Sequence, residues 1–93
     1  MNYECKKAEN CFSDAENFEY RVELTGLEIV TLLRKLDGSV RINDKLRRPT
    51  FVAELASGIQ VKGLLDKNVI KVGFVLDKAA EQKEFFESWL EEH

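Results

Sequence analysis

One histidine, one proline, five glycines and two cysteines stand among 93 residues, and no apolar run approaches the ~20 residues that cross a bilayer. Each shortage excludes something. The lone histidine, His93, is the last residue of the sequence, and the expectation is a frayed end that does not hold a general base within reach of a substrate. Ser13, Ser39, Ser57 and Ser88 then have no histidine partner, and serine catalysis has no support. Gly26, Gly38, Gly58, Gly63 and Gly73 are scattered, so no glycine-rich phosphate loop forms. Cys5 and Cys11 are separated by five residues, whereas zinc and redox sites use closer spacings and a closed zinc site needs four ligands. Two reduced thiols are the plain reading, with a metal bridging two chains as the alternative. The opening stretch MNYECKKAENCFSDAEN has no apolar core and does not read as a secretory signal. A cytoplasmic protein is the expectation, with no catalytic residue, metal or cofactor.

What the chain does have is alternation. In residues 50–76 the apolar side chains fall on every second position: Phe51, Ala53 and Leu55, then Ile59, Val61 and Leu65, then Ile70, Val72, Phe74 and Leu76. Successive side chains of a strand point to opposite faces, so this set builds one apolar face of an antiparallel sheet. Phe18 to Leu24 and Ser39 to Asn43 alternate in the same way. Gly63 falls at an inward position and Gly73 at an outward one, each a candidate bulge or close backbone approach. Between the first two strands the period changes: Leu27, Ile29, Val30, Leu32, Leu33 and Leu36 form a helical stripe. Thr25 and Glu28 are spaced as a capping box, and Gly38 is the expected C-terminal cap. A second helix begins after Asp77 as N-cap, with Ala79, Phe85, Phe86, Trp89 and Leu90 toward the sheet and Glu84, Glu87 and Glu91 toward solvent.

The predicted order is β-α-β-β-β-β-α. Because each strand offers one apolar face, both helices must cover the same side: an α+β two-layer sandwich, with a mainly antiparallel sheet of about five strands and two helices on one face. Residues 1–16 read as a flexible polar arm and residues 17–93 as a single domain. The helix, three strands and helix of residues 25–92 share their element order with double-stranded RNA-binding domains. Those open their last helix with lysines, where this one reads Asp77-Lys78-Ala79-Ala80-Glu81. The likeness stops at topology.

Net charge is −3, unevenly spread. Residues 1–28 hold seven acids and three bases, residues 77–93 six acids and two bases. Residues 34–48 reverse this with Arg34, Lys35, Arg41, Lys45, Arg47 and Arg48 against Asp37 and Asp44. The plain reading is a solvated surface; the functional one is a patch of Arg41, Lys45, Arg47, Arg48 and Lys62, extended by Lys67 and Lys71, that receives phosphate or carboxylate. Val52, Leu64, Val69 and Val75 run out of phase with the core and lay an apolar strip on the wet face. Glu19 and Glu23 are expected in cross-strand ion pairs with Arg41 or Lys62. Together these features lead to a small non-enzymatic interaction module, a homodimer or a subunit of a larger assembly. The alternative is nucleic-acid or phosphate-ligand binding through residues 34–48, against which stand the overall acidity and the lack of outward aromatics for stacking.

Overall fold

Alternation on one side and a helical stripe on the other resolve into two layers. A computed structural model of the chain describes residues 1–9, 11–45 and 47–93; Asn10, in the expected arm, and Leu46, in the basic segment, lie outside the described residues. The order is β1 (Tyr3–Lys7), β2 (Ala15–Val22), α1 (Gly26–Leu33), β3 (Gly38–Asn43), β4 (Thr50–Leu55), β5 (Gln60–Leu64), β6 (Val69–Val75), a 3-10 turn (Leu76–Lys78) and α2 (Ala79–Glu91). All strand pairs are antiparallel, in the spatial order β1-β2-β6-β5-β4-β3.

One cluster forms the core. Tyr20, Phe51, Ile59, Val61, Ile70, Val72 and Phe74 from the sheet meet Ile29, Val30 and Leu33 of α1 and Phe86, Trp89 and Leu90 of α2. Full burial of a large apolar side chain is worth roughly 1.5–3 kcal/mol before ordering entropy is charged against it. Tyr20 and Phe74 each meet the Phe86 ring at a steep angle, with centroids 5.3 and 6.0 Å away, within the spacing that aromatic pairs prefer.

Several local expectations are corrected. Residues 3–7, placed in the loose arm, form the edge strand β1, with Tyr3 opposite Val22 and Cys5 opposite Tyr20. Helix α1 does start with the capping box, Thr25 accepting from the Glu28 N–H and Glu28 from the Thr25 N–H. It ends at Arg34, however, and Lys35 and Leu36 fold back on Leu32 and Leu33 in tighter turns. Gly38 is therefore not the cap: it opens β3 at φ +149, with its Cα so close to the Glu54 carbonyl that a Cβ would stand 2.4 Å from the oxygen. At α2 the N-cap position falls to Lys78, without a side-chain bond, because the 3-10 turn takes up Asp77. Leu27, Leu76 and Phe85, assigned to the core, are exposed. Gln82 is buried in Phe85's stead: it accepts from the Val75 N–H at 2.8 Å and donates to the Ser57 carbonyl at 2.9 Å, fastening α2 to the end of β6 and to the β4–β5 turn.

Candidate binding face of the sheet

Both helices pack on one side, so the other side of the sheet has no helical cover. The pairing register reads directly across it. Lys6, Glu19, Lys71, Lys62, Val52 and Arg41 stand opposite one another in turn, one from each strand. Strand order decides the ion pairs. Glu19 on β2 is bonded by Lys71 of β6 and, at 3.1 Å, by Lys6 of β1; Arg41 on β3 is at the far edge and Lys62 one strand too distant, so the expected pairs with them do not form. Lys71, then Lys6, hold the Glu19 carboxyl below its ordinary range.

The Lys62–Lys71 pair is unusual, since like charges placed directly opposite on neighbouring strands destabilise a sheet. Each lysine has a separate outlet. Lys71 goes to Glu19, while Lys62 donates to the Cys11 carbonyl at 2.7 Å and lies 4.8 Å from the centroid of the Phe12 ring. That ring sits on Gly73, where an added Cβ would come within 2.7 Å of it. Asn17 fixes the loop, accepting from the Phe12 N–H and donating to the Phe12 carbonyl. Gly73 thus marks a close approach, as does Gly63, whose missing side chain leaves room on the core side for the Phe51 ring.

Beside this loop lies an open trough of ≈ 550 Å³. Val52, Leu64, Val69 and Thr50 make its floor, and Arg48, Lys62, Lys67 and Lys71 stand around it. Among the described residues no acid, histidine or cysteine lines it. The trough is held from behind. The Gly26 and Leu27 N–H groups at the start of α1 donate to the Lys67 and Leu65 carbonyls at 2.7 and 3.0 Å, and the Val22 N–H donates to the Asn68 carbonyl at 2.8 Å. The β5–β6 turn that presents Lys67 is therefore bolted to the helix layer.

Of the residues singled out from sequence, the structure brings Arg48 and Lys62 into the trough, together with the apolar strip residues Val52, Leu64 and Val69. Arg41 and Lys45 line a neighbouring depression of ≈ 450 Å³ with Ile42, Asn43, Asp44, Thr50 and Val52. Arg47 is exposed and lines neither of these two. Lys67 and Lys71 complete the rim; the signal for Lys71 was its outward phase in the meander, whereas Lys67 stands in the β5–β6 turn. Val75 lies outside the floor, opposite Ala15.

A second polar cluster joins the layers. Glu87, expected on the solvent side, instead accepts from Tyr20 Oη at 2.8 Å, from Lys83 Nζ at 2.6 Å and from Tyr3 Oη at 3.2 Å. Burial pushes its carboxyl up, but these bonds outweigh burial and the group ionises below its ordinary value. Burial first, then the Glu87 and Glu91 carboxylates, raise Tyr3 to about 12. Burial and the Glu87 bond raise Tyr20 much further, and the Glu87 bond raises Lys83. The hydroxyls stay protonated as donors, so the cluster clasps α2 to β1 and β2. Among the described residues no three His, Cys, Asp or Glu side chains stand close enough to hold a metal ion, and no helix is long and apolar enough to cross a membrane.

The fold class is thus an α+β sandwich whose sheet has one face free of helices, capped at Gly73 by the Phe12 ring. Comparison with protein-family models, curated proteins and solved structures finds no match.

Proposed function

We propose that this chain is a non-enzymatic protein-interaction module whose helix-free sheet face receives an acidic segment of a partner that carries an apolar or aromatic anchor. One observation supports the reading above the others: an apolar floor of Val52, Leu64 and Val69 ringed by Arg48, Lys62 and Lys67, with Lys71 on the rim and already bonded to Glu19. Val52 is 45 % exposed in a strand position where a polar residue would be the neutral choice. An apolar anchor desolvated on such a floor supplies most of the affinity in an interface of this kind, and the surrounding cations supply orientation and encounter rate. The module is proposed to work in the cytoplasm, which suits the free thiols of Cys5 and Cys11.

The probe is a synthetic acidic helical peptide bearing one phenylalanine, titrated at low and high salt with the methyl signals of Val52, Leu64 and Val69 observed by NMR. Shifts confined to these methyls, an affinity that falls with salt, and weaker binding by the Lys67→Glu variant are expected. Unmoved methyls would overturn the reading. So would preferential binding of single-stranded RNA, which would move the function to the nucleic-acid class.

A further inference from the structure

The partner chemistry that the trough demands is present on this chain's own second helix. Along α2, Glu81, Glu84 and Ser88 are exposed and flank Phe85, itself 51 % exposed. Glu81 and Ser88 lie four residues before and three after Phe85, so they share its side of the helix. Leu76, 57 % exposed, adds a second apolar point just ahead of the helix. A ring of this size needs about 150 Å³ of apolar space, well within the ≈ 550 Å³ of the trough.

We infer that α2 of one copy docks in the trough of a second copy, Phe85 on the Val52–Leu64–Val69 floor and Glu81 and Glu84 toward the rim lysines, so that the chain assembles head to tail. This rests on the reading of the trough as a receptor for acidic, anchored segments. The two symmetric pairings are disfavoured by charge. Sheet face on sheet face sets Arg48, Lys62, Lys67 and Lys71 against themselves, and helix face on helix face sets acids against acids. The donor patch is on α2 and the acceptor patch on the helix-free side of the sheet, so they are different surfaces and a contact between them is heterologous, leaving each copy with one free half.

The test uses the whole chain and two variants whose substituted residues are exposed, Phe85→Ser and the double variant Val52→Glu with Lys67→Glu, each checked for folding by circular dichroism. Sedimentation velocity of the wild type should show average mass rising with concentration beyond a dimer and falling with salt. Phe85→Ser should weaken association by roughly tenfold or more, as loss of a central aromatic anchor does. Each variant retains one competent surface, so a mixture of the two should give a one-to-one dimer that does not grow, while each alone remains monomeric. A wild type that stays monomeric at about millimolar concentration and low salt, where electrostatic attraction is least screened, overturns the inference. So does a mass that stops at a dimer, or association that both variants retain. In those cases the acidic-peptide titration still decides the trough reading by itself: methyl shifts without self-association sink only the head-to-tail contact, and their absence sinks both.

Discussion

At Gly26 a missing side chain governs the geometry of the trough. A Cβ there would stand 2.1 Å from the Leu64 carbonyl oxygen and 2.9 Å from the Leu65 Cα, and backbone on both sides leaves no flexible group to yield. Gly26→Ala is expected to cost about 1–3 kcal/mol or more through forced separation, read as a lower thermal midpoint. Because the same glycine N–H holds the Lys67 carbonyl, the Lys67 amide signal should shift too. Glu87 makes the second residue-scale prediction. Its carboxyl ionises below its ordinary value of 4.5 in the folded chain; Glu19 is lowered as well. A depressed folded value means stability that is complete above the unfolded value and lost as pH falls through the folded one. Denaturation midpoints should therefore decline below about pH 5, and Glu87→Gln should flatten that decline while lowering stability at neutral pH. Nothing in the sequence pointed to Glu87 as a clasp: its position on α2 resembles those of Glu84 and Glu91, and only the packing angle of the helix turns it toward Tyr20.

The strands with two-residue alternation were legible because one face of each is buried in the core: Phe51, Ala53 and Leu55, or Ile70, Val72 and Phe74, are inward without exception. Strand β1 was not. As an edge strand its inward set is Tyr3, Cys5 and Lys7, too polar for a pattern, and it is fixed by pairing with a segment some fifteen residues away. The same long-range pairing hid the partners of Glu19, because charge pairs follow strand order and strand order is not local. Helix ends erred for a nearer reason. A tighter turn follows α1 on the way to β3 and another precedes α2 on the way from β6, and Phe85 gives way to Gln82 at the contact with β6. Gln82 satisfies two backbone groups that would otherwise be stranded at the junction of three elements. Gln82→Ala should cost about 1–3 kcal/mol, the penalty for leaving buried polar groups unpaired. Hydrogen exchange should show faster loss of protection at the Val75 amide than at the Val72 amide in the middle of β6.

Across the whole molecule, exposed acids gather on α2 at Glu81, Glu84 and Glu91 and bases gather around the trough, with Glu19 the acid that the sheet face keeps beside Lys71; a sheet tuned only for stability would not set Lys62 opposite Lys71 beside an exposed Val52. Local rules are broken where function asks for it, and this gives a prediction in which stability and binding move in opposite directions. Val52 faces Lys62 on one neighbouring strand and Arg41 on the other. Val52→Glu sets a carboxylate between these two cations, worth roughly 0.2–1 kcal/mol per opposite-charge cross-strand pair. The neutral Val52→Gln variant carries the same loss of apolar area, so the difference between the two isolates the charge. Relative to Val52→Gln, Val52→Glu should raise the urea midpoint at low salt, with the gain shrinking as salt is added. The same carboxylate puts an acid on the floor that an acidic partner must approach, so Val52→Glu should bind the acidic phenylalanine peptide more weakly than Val52→Gln. A surface that merely solvates the sheet would show the gain in stability and no change in binding, because nothing would dock there; opposite signs in the two measurements require that the cations around Val52 are kept unneutralised for a partner.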